Sequence, residues 1–238
     1  SFLDEHPELA ACGRLVNIVK RSPNGSPCPP DDGYRRNGDW INSVITPEAI
    51  KTERFVDSPI PNPTSMVRRE ILVETGGYAD PEWAEDYDFW LSLIEKGYRI
   101  GKVPETLLDW YDSDERSTRT IARYELTQFQ RAKAHYLSRI SEVKEKGVVI
   151  CGAGPVGKEF SRLLHEREVP LHAFIEVNER QIGKTIGGLP VFNPAKLSTF
   201  SDSVIALSAI GQEGARAKVK QLAAESGFTE GINFYCVA

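Results

Sequence analysis

The fold of the second half of the chain is decided by Lys146-Gly147-Val148-Val149-Ile150-Cys151-Gly152-Ala153-Gly154-Pro155-Val156-Gly157-Lys158-Glu159-Phe160. The apolar run at its start predicts a buried β-strand, and Gly152, Gly154 and Gly157 form a Gly-x-Gly-x-x-Gly turn that opens a helix. Glycines at such a turn let backbone N–H groups at the helix N-terminus approach a phosphate. We therefore predict that Gly152, Gly154 and Gly157 bind a cofactor.

The residues that follow this turn extend the pattern into a Rossmann-like unit. The next helix has an apolar face formed by Val156, Phe160, Leu163 and Leu164. Ala173-Phe174-Ile175 predicts a second strand, and Glu176 follows it at close to the spacing, roughly 20 residues from the glycines, of an acid that binds ribose. We therefore predict a small Rossmann-like parallel-sheet domain at 147–238, with Glu176 as a fourth cofactor-binding residue.

A resemblance indicates the class of ligand for this domain. The runs Phe174 to Lys184 and Ile186 to Val191 resemble the small Rossmann domains of sugar acyltransferases and polysaccharide-biosynthesis dehydratases. Some of those relatives bind nucleotide sugars or nicotinamide cofactors, and others have no known ligand. The resemblance therefore implies a nucleotide, a nucleotide sugar or NAD(P). The only Tyr-x-x-x-Lys, Tyr98 to Lys102, lies outside the domain on a predicted strand. A binding or regulatory module is therefore favoured over a dehydrogenase.

The composition is that of an ordinary globular protein: 40% of the 238 residues are hydrophobic, 26% are charged, and the formal net charge is −5. Lys and Arg form no basic block, so we expect no nucleic-acid partner. No apolar run approaches the ~20 residues that span a bilayer, and the first residues lack the features of a signal peptide, so we expect no membrane span and a cytoplasmic location. The four cysteines lack zinc-type spacing, which predicts reduced thiols and no metal site.

A second stretch, Ala84-Glu85-Asp86-Tyr87-Asp88-Phe89-Trp90-Leu91, predicts an amphipathic helix. Asp86 lies three residues before Phe89 and four before Trp90, so the helix carries this carboxylate toward its apolar side at the first turn. Two explanations stay open for Glu85 and Asp86. They cap the helix and complement its dipole, or they belong to a catalytic site.

Four runs resemble the second half of inverting family 2 glycosyltransferases, which have the GT-A fold: Asn62 to Arg69, Gly76 to Tyr78, Ala84 to Leu91 and Gly97 to Ile100. In that family the Asp of the Glu-Asp pair is the catalytic base. The resemblance therefore implies that Asp86 is the base with Glu85 beside it, and that Tyr78, Trp90 and Arg116 contact the substrates. These five residues are the predicted catalytic and substrate-binding residues.

The implied activity is transfer of a sugar, with inversion, from a nucleotide-diphosphate sugar to a hydroxyl of a glycan or lipid-linked acceptor. The resemblance also implies Mg²⁺ or Mn²⁺ in the intact parent enzyme. The family's Asp-x-Asp motif and the nucleotide-binding half before it are absent from the chain, so we expect the chain alone to be inactive. The alternative is a non-catalytic module that binds a nucleotide or nucleotide sugar.

The predicted fold class is α/β, in three parts. A partial GT-A glycosyltransferase region occupies 1–118, a helical connector 119–146, and the Rossmann-like domain 147–238. Apolar residues at spacings of three to five predict one long helix from Ile121 to Lys144 as the connector.

Two smaller features complete the predicted first part. The segment from Arg21 to Asp39 is rich in Pro, Gly, Asn and Asp, which predicts a long surface loop. Tyr98 to Val103 and Leu107 to Tyr111 predict two strands separated by a turn at Pro104-Glu105.

Overall fold

The computed structural model describes residues 1–21, 26–112, 121–212 and 214–238. The chain divides into two compact units, the first of Ser1–Arg54 and Ser58–Phe129, the second of Phe55–Asp57 and Gln130–Ala238. The predicted division into 1–118, 119–146 and 147–238 stays a prediction. No helix in the described ranges is both long and apolar enough to cross a membrane.

The first unit contains a mixed four-stranded sheet. β2 and β3 pair antiparallel with β1, and β4 pairs with β1 in parallel. The elements in chain order are α1 (Phe2–Glu5), β1 (Leu9–Arg21), β2 (Pro27–Cys28), α2 (Asp32–Ser43), α3 (Pro47–Glu53), a 3-10 helix (Asn62–Thr64), β3 (Met66–Val67), α4 (Arg69–Thr75), α5 (Glu85–Glu95), β4 (Arg99–Asp112) and a 3-10 helix (Ala122–Tyr124).

β4 is one strand where the sequence predicts two. Val103 pairs with Arg14 and Thr106 with Leu15, so Pro104 and Glu105 form a bulge within a continuous strand. Proline has no N–H to donate to the ladder, and a bulge absorbs that loss without ending the strand. The predicted turn at Pro104-Glu105 is therefore wrong.

α2 occupies part of the segment predicted as a loop. It begins at Asp32 although Gly33 and Gly38 lower its helix propensity. Gly38 lets α2 pack closely on β1, because a Cβ on it would lie 2.8 Å from the Cδ1 of Ile18 and would displace that side chain. Tertiary packing therefore overrides the local sequence preference here.

The second unit contains a six-stranded sheet in the order β10-β9-β5-β6-β8-β7, parallel except for the β7/β8 pair. The Rossmann-like parallel sheet predicted from the sequence is confirmed. Its elements are α7 (Ser141–Lys146), β5 (Val148–Cys151), α8 (Pro155–His165), β6 (Leu171–Ile175), β7 (Thr185–Ile186), β8 (Leu189–Phe192), a 3-10 helix (Pro194–Phe200), β9 (Ile205–Ser208), α9 (Ala215–Glu225) and β10 (Phe234–Cys236).

The predicted single long helix from Ile121 to Lys144 is wrong. The structure has α6 (Leu126–Leu137) and then α7, separated by three residues that end at Ile140. Ile140 adopts φ −71° and ψ 121°, an extended conformation that stops one helix and caps the next. The apolar spacing continues across this break, which is why the sequence pattern does not reveal it.

Lys102 is a buried cation in the first unit, with 2% of its surface exposed. Its ammonium donates to the carbonyl of Ile41, in the last turn of α2, where helix carbonyls lack partners. Burial lowers the pKa of Lys102 to about 7. The folded state therefore releases this proton more readily than the unfolded state does.

We expect the unfolding free energy to rise with pH between about 7 and 10.5, because the unfolded chain there retains a proton that folded Lys102 has released. Each pKa unit is worth about 1.4 kcal/mol, so a shift from 10.5 to about 7 contributes on the order of 5 kcal/mol. Below pH 7 both states are protonated, and the full cost of burying the charge remains. Urea denaturation across this range should show a flatter profile for Lys102→Met than for the wild type. Lys96→Met, at an exposed lysine, is the control, and parallel profiles for wild type and Lys102→Met would contradict the prediction.

Candidate functional site

The candidate site lies at the carboxyl edge of the parallel sheet in the second unit, between β5 and β9. The chain passes from β5 to β6 on one side and returns to β9 on the other, so the crossovers diverge at this point. In open α/β sheets this point of divergence is where ligands bind. The turn Gly152 to Gly157 follows β5, and Ala209 to Gly211 follows β9.

Each glycine of the turn has a different structural requirement. Gly152 has φ 102°, and a Cβ on it would lie 2.8 Å from the Cγ1 of Ile210. A Cβ on Gly157 would lie 1.9 Å from the carbonyl oxygen of Gly152, so only glycine fits there. A Cβ on Gly154 would have nothing within 4 Å. Gly152 and Gly157 thus shape the turn, whereas Gly154 leaves open space.

The N-terminus of α8 points a row of backbone donors out of this turn. Gly154 is the N-cap, and the N–H of Lys158 donates to its carbonyl at 3.0 Å. The N–H groups of Gly154, Val156 and Gly157 precede that bond and have no partner within the helix. Pro155 contributes no N–H, and its fixed φ suits the first helical position. Three donors and the positive end of the helix dipole therefore favour an anion.

Glu176 connects this turn to the end of β6. Its Oε2 accepts the N–H of Ala153 at 2.8 Å, and its Oε1 accepts those of Val177 at 2.8 Å and Asn178 at 3.1 Å. The predicted cofactor residues Gly152, Gly154, Gly157 and Glu176 are thus brought together at one edge of the sheet. Their role in binding stays a prediction.

Two buried polar side chains lie side by side below this edge. Cys151 and Ser208 are paired in the β5/β9 ladder and are 2% and 0% exposed. Burial raises the pKa of the Cys151 thiol to about 12, so it stays protonated at neutral pH. The hydroxyl of Ser208 is buried without a hydrogen-bond partner in the described part of the chain.

The sequence did not predict two contacts of this site, the hydrogen bond of Ala153 to Glu176 and the packing of Ile210 against Gly152. Ala153 acts through its backbone N–H, and Ile210 packs against Gly152 from the loop after β9, which is distant in sequence. A backbone donor is common to every residue except proline, and the contact of Ile210 depends on the strand order. Neither leaves a signal in the amino-acid pattern.

Glu85 and Asp86 lie in the first turn of α5 in the first unit, where the sequence predicted them. The Oδ1 of Asp86 accepts the N–H of Tyr87 at 2.7 Å, and both carboxylate oxygens of Glu85 accept the hydroxyl of Tyr124 at 2.8 Å. Burial and this hydrogen bond raise the pKa of Tyr124 to about 12. Glu85 thus joins α5 to Tyr124, whereas the bond between Asp86 and Tyr87 lies within the first turn of α5.

Of the other predicted substrate residues, Tyr78 lies near the acidic pair, because burial and then the charges of Asp86 and Glu85 raise the pKa of its hydroxyl. Tyr78 stacks on Phe89 with ring centroids 4.5 Å apart, and its hydroxyl donates to the Oδ1 of Asn62 at 2.9 Å. Trp90 is fully buried in the core of the first unit. Arg116 lies outside the described residues.

Residues 143–234 match the family model described as CoA binding domain. The match covers less than half of the chain and coincides with the sheet that carries the glycine-rich turn. No curated protein matches the chain.

Solved structures with some similarity include those of RSP, a Rex-family repressor. One is 14% identical, with a TM-score of 0.34, and covers 46% of this chain and 60% of that chain. The structure with β-NADH has the same identity and TM-score and covers 62% of that chain. The structure with β-NAD⁺ and operator DNA is 11% identical, with a TM-score of 0.33, and covers 70% of this chain and 77% of that one. This chain thus spans about 60% of the length of the first two, and we infer no ligand from these similarities.

The family match overturns the glycosyltransferase assignment, because the family model that matches the chain is that of a CoA binding domain. The predicted GT-A region, the sugar transfer and the role in polysaccharide biosynthesis are therefore wrong. Local structure explains the motifs: Gly76, with φ 81°, ends α4, and Glu85 and Asp86 occupy the first turn of α5. We propose no catalytic role for Glu85 or Asp86.

Within the described ranges, no group of three or more His, Cys, Asp or Glu side chains is arranged to hold a metal ion. The expectation of Mg²⁺ or Mn²⁺ depended on the glycosyltransferase resemblance and falls with it. The expectations of a cytoplasmic location and of no nucleic-acid partner stay predictions.

The pair Gly157→Ala and Gly154→Ala tests the packing of the turn. We expect Gly157→Ala to lower the unfolding free energy by about 3 kcal/mol, because its Cβ would overlap a backbone oxygen that cannot move aside. Gly154→Ala, with open space and φ −75°, should change it by less than about 0.5 kcal/mol. Thermal and urea denaturation measure both, and equal stabilities would contradict the packing described here.

Ser208→Ala tests the unpartnered hydroxyl. Removing a buried group without a hydrogen-bond partner should raise the unfolding free energy by about 1 kcal/mol. The control is Ser138→Ala, because Ser138 is also buried but donates to the carbonyl of His135 at 2.8 Å. That variant should be neutral or less stable, and a Ser208→Ala variant less stable than wild type would refute the expectation.

Proposed function

We propose that the second unit binds a nucleotide cofactor of the CoA or nicotinamide dinucleotide class at the turn from Gly152 to Gly157. The observation that carries this proposal is the row of N–H groups from Gly154, Val156 and Gly157, which opens at the divergence point of the sheet. CoA, NAD⁺ and NADH share a diphosphate, and a diphosphate is the anion that such a helix N-terminus receives in dinucleotide-binding folds.

The position of the family match supports the proposal. The match to the CoA binding domain spans 143–234 and includes every strand of the sheet except the end of β10. We propose 147–238 as the ligand-binding domain, as the sequence predicts.

The chemistry of the site favours binding over catalysis. The thiol of Cys151 is buried and protonated, and Ser208 is fully buried, so neither is presented as a nucleophile. Glu176 is already engaged by three backbone N–H groups. We therefore propose a ligand-binding module, the alternative that the sequence left open, in which the bound cofactor stabilises the domain.

Calorimetry with CoA, NAD⁺, NADH and ADP tests this function. We expect at least one of the dinucleotide or CoA ligands to bind the wild type, and Gly154→Val to lower its affinity about tenfold or more, because the side chain occupies the open space before α8. The control is Gly33→Val, at an exposed glycine of α2 where an added Cβ would also have nothing within 4 Å. It should bind as the wild type does.

Two results would contradict the proposal. One is the absence of binding by a folded wild-type sample to all four ligands. The other is unchanged affinity in Gly154→Val with an unchanged melting temperature, because the ligand would then bind elsewhere.

A further inference from the structure

We infer that Glu176 is a positioning residue whose carboxylate holds the glycine-rich turn in the shape that receives a phosphate, instead of binding the ribose of the ligand. The inference deepens the proposed function and rests on it. The observation is the set of hydrogen bonds from Ala153, Val177 and Asn178 to a single half-buried carboxylate.

The acceptor capacity of Glu176 is largely used by the protein itself. An ionised carboxylate offers about four acceptor positions on two oxygens. Oε1 takes two N–H groups and Oε2 takes one, so both oxygens are engaged. Such bonds are strong because the acceptor is charged. A ribose hydroxyl would therefore have to use the remaining position or displace a backbone N–H.

The bond to Ala153 is the one that reaches the turn. Val177 and Asn178 immediately follow Glu176, whereas Ala153 lies 23 residues before it, within the turn after β5. The bond therefore joins the loops that follow two neighbouring strands. The N–H of Ala153 belongs to the peptide that joins Gly152 to Ala153, immediately before the Gly154 N–H, so the bond anchors the turn just before the row of N–H groups begins.

The two possible roles of Glu176 predict different ligand dependence. A ribose contact would distinguish NAD⁺ from ligands whose ribose carries a phosphate, such as NADP⁺ and CoA. A residue that shapes the turn acts on the phosphate site itself. Its loss would weaken every ligand that uses this site, including inorganic pyrophosphate, which has no ribose.

Two substitutions separate these roles. Glu176→Asp keeps the charge and can still accept from Val177 and Asn178 in a local turn. Its side chain is one methylene shorter, so it cannot span the distance to Ala153. Glu176→Gln keeps the length but loses the charge and one acceptor oxygen. The control is Glu179→Asp, at an exposed acid in the same loop.

Amide hydrogen exchange of the ligand-free chain tests the hydrogen bond directly. In Glu176→Asp we expect the Ala153 amide to exchange about tenfold faster or more, because its acceptor is lost. The Gly152 amide, which donates to the Ile175 carbonyl at 2.8 Å, should be unchanged. Unchanged protection of Ala153 would overturn the inference, whatever the ligand results.

Calorimetry with NAD⁺, NADP⁺, CoA and pyrophosphate tests the consequence for binding. We expect Glu176→Asp and Glu176→Gln to weaken every ligand that the wild type binds by about tenfold or more, while the ratio of the NAD⁺ and NADP⁺ affinities stays within about threefold. Full affinity in Glu176→Asp, or a selective gain for NADP⁺ and CoA in Glu176→Gln, would overturn the inference. If the wild type binds none of them but Ala153 exchange accelerates, the proposed function fails and the role of Glu176 in shaping the turn stands.

Discussion

The close approach of α8 to the turn before it is the constraint on which the second unit depends. Gly157 lies so near the carbonyl of Gly152 that no other residue fits, and this contact brings the first turn of α8 against the end of β5. Because β5 is in the middle of the sheet, the helix N-terminus reaches the divergence point of the strands. A single requirement for glycine thus sets both the packing of the domain and the direction of its free N–H groups.

In each unit, a buried lysine donates hydrogen bonds to carbonyls of segments that are distant in sequence. Lys133 on α6 donates to the carbonyls of Val56, at 2.7 Å, and Val237, at 3.1 Å. It thereby joins the segment Phe55–Asp57 to the chain beyond β10, and burial lowers its pKa to about 8. In the first unit, Lys102 similarly joins β4 to the last turn of α2 by donating to the carbonyl of Ile41. A buried ammonium is stabilised only where carbonyls meet it, so it favours one arrangement of these segments.

The sequence predicted the second unit better than the first for a physical reason. Each strand of a parallel sheet buries both faces, so an apolar run followed by glycines and an amphipathic helix has few other solutions. The α2 helix depends instead on Gly38 fitting against Ile18, and β4 continues past Pro104 because a bulge is available. Both depend on contacts between distant residues. The pattern of apolar residues could not predict them.

The acidic pair at the start of α5 and the glycine-rich turn after β5 differ in how many non-local features each requires. Acids such as Glu85 and Asp86 are favourable in the first turn of any helix, so their presence discriminates poorly between a catalytic pair and a structural one. The glycine-rich turn requires a preceding strand, a following helix, a second parallel strand and an acid at its end, and the structure contains them all. Even there, the acid that spacing associates with ribose is engaged by the backbone of the turn. Spacing therefore located Glu176, but only the hydrogen bonds of the folded chain indicate what its carboxylate does.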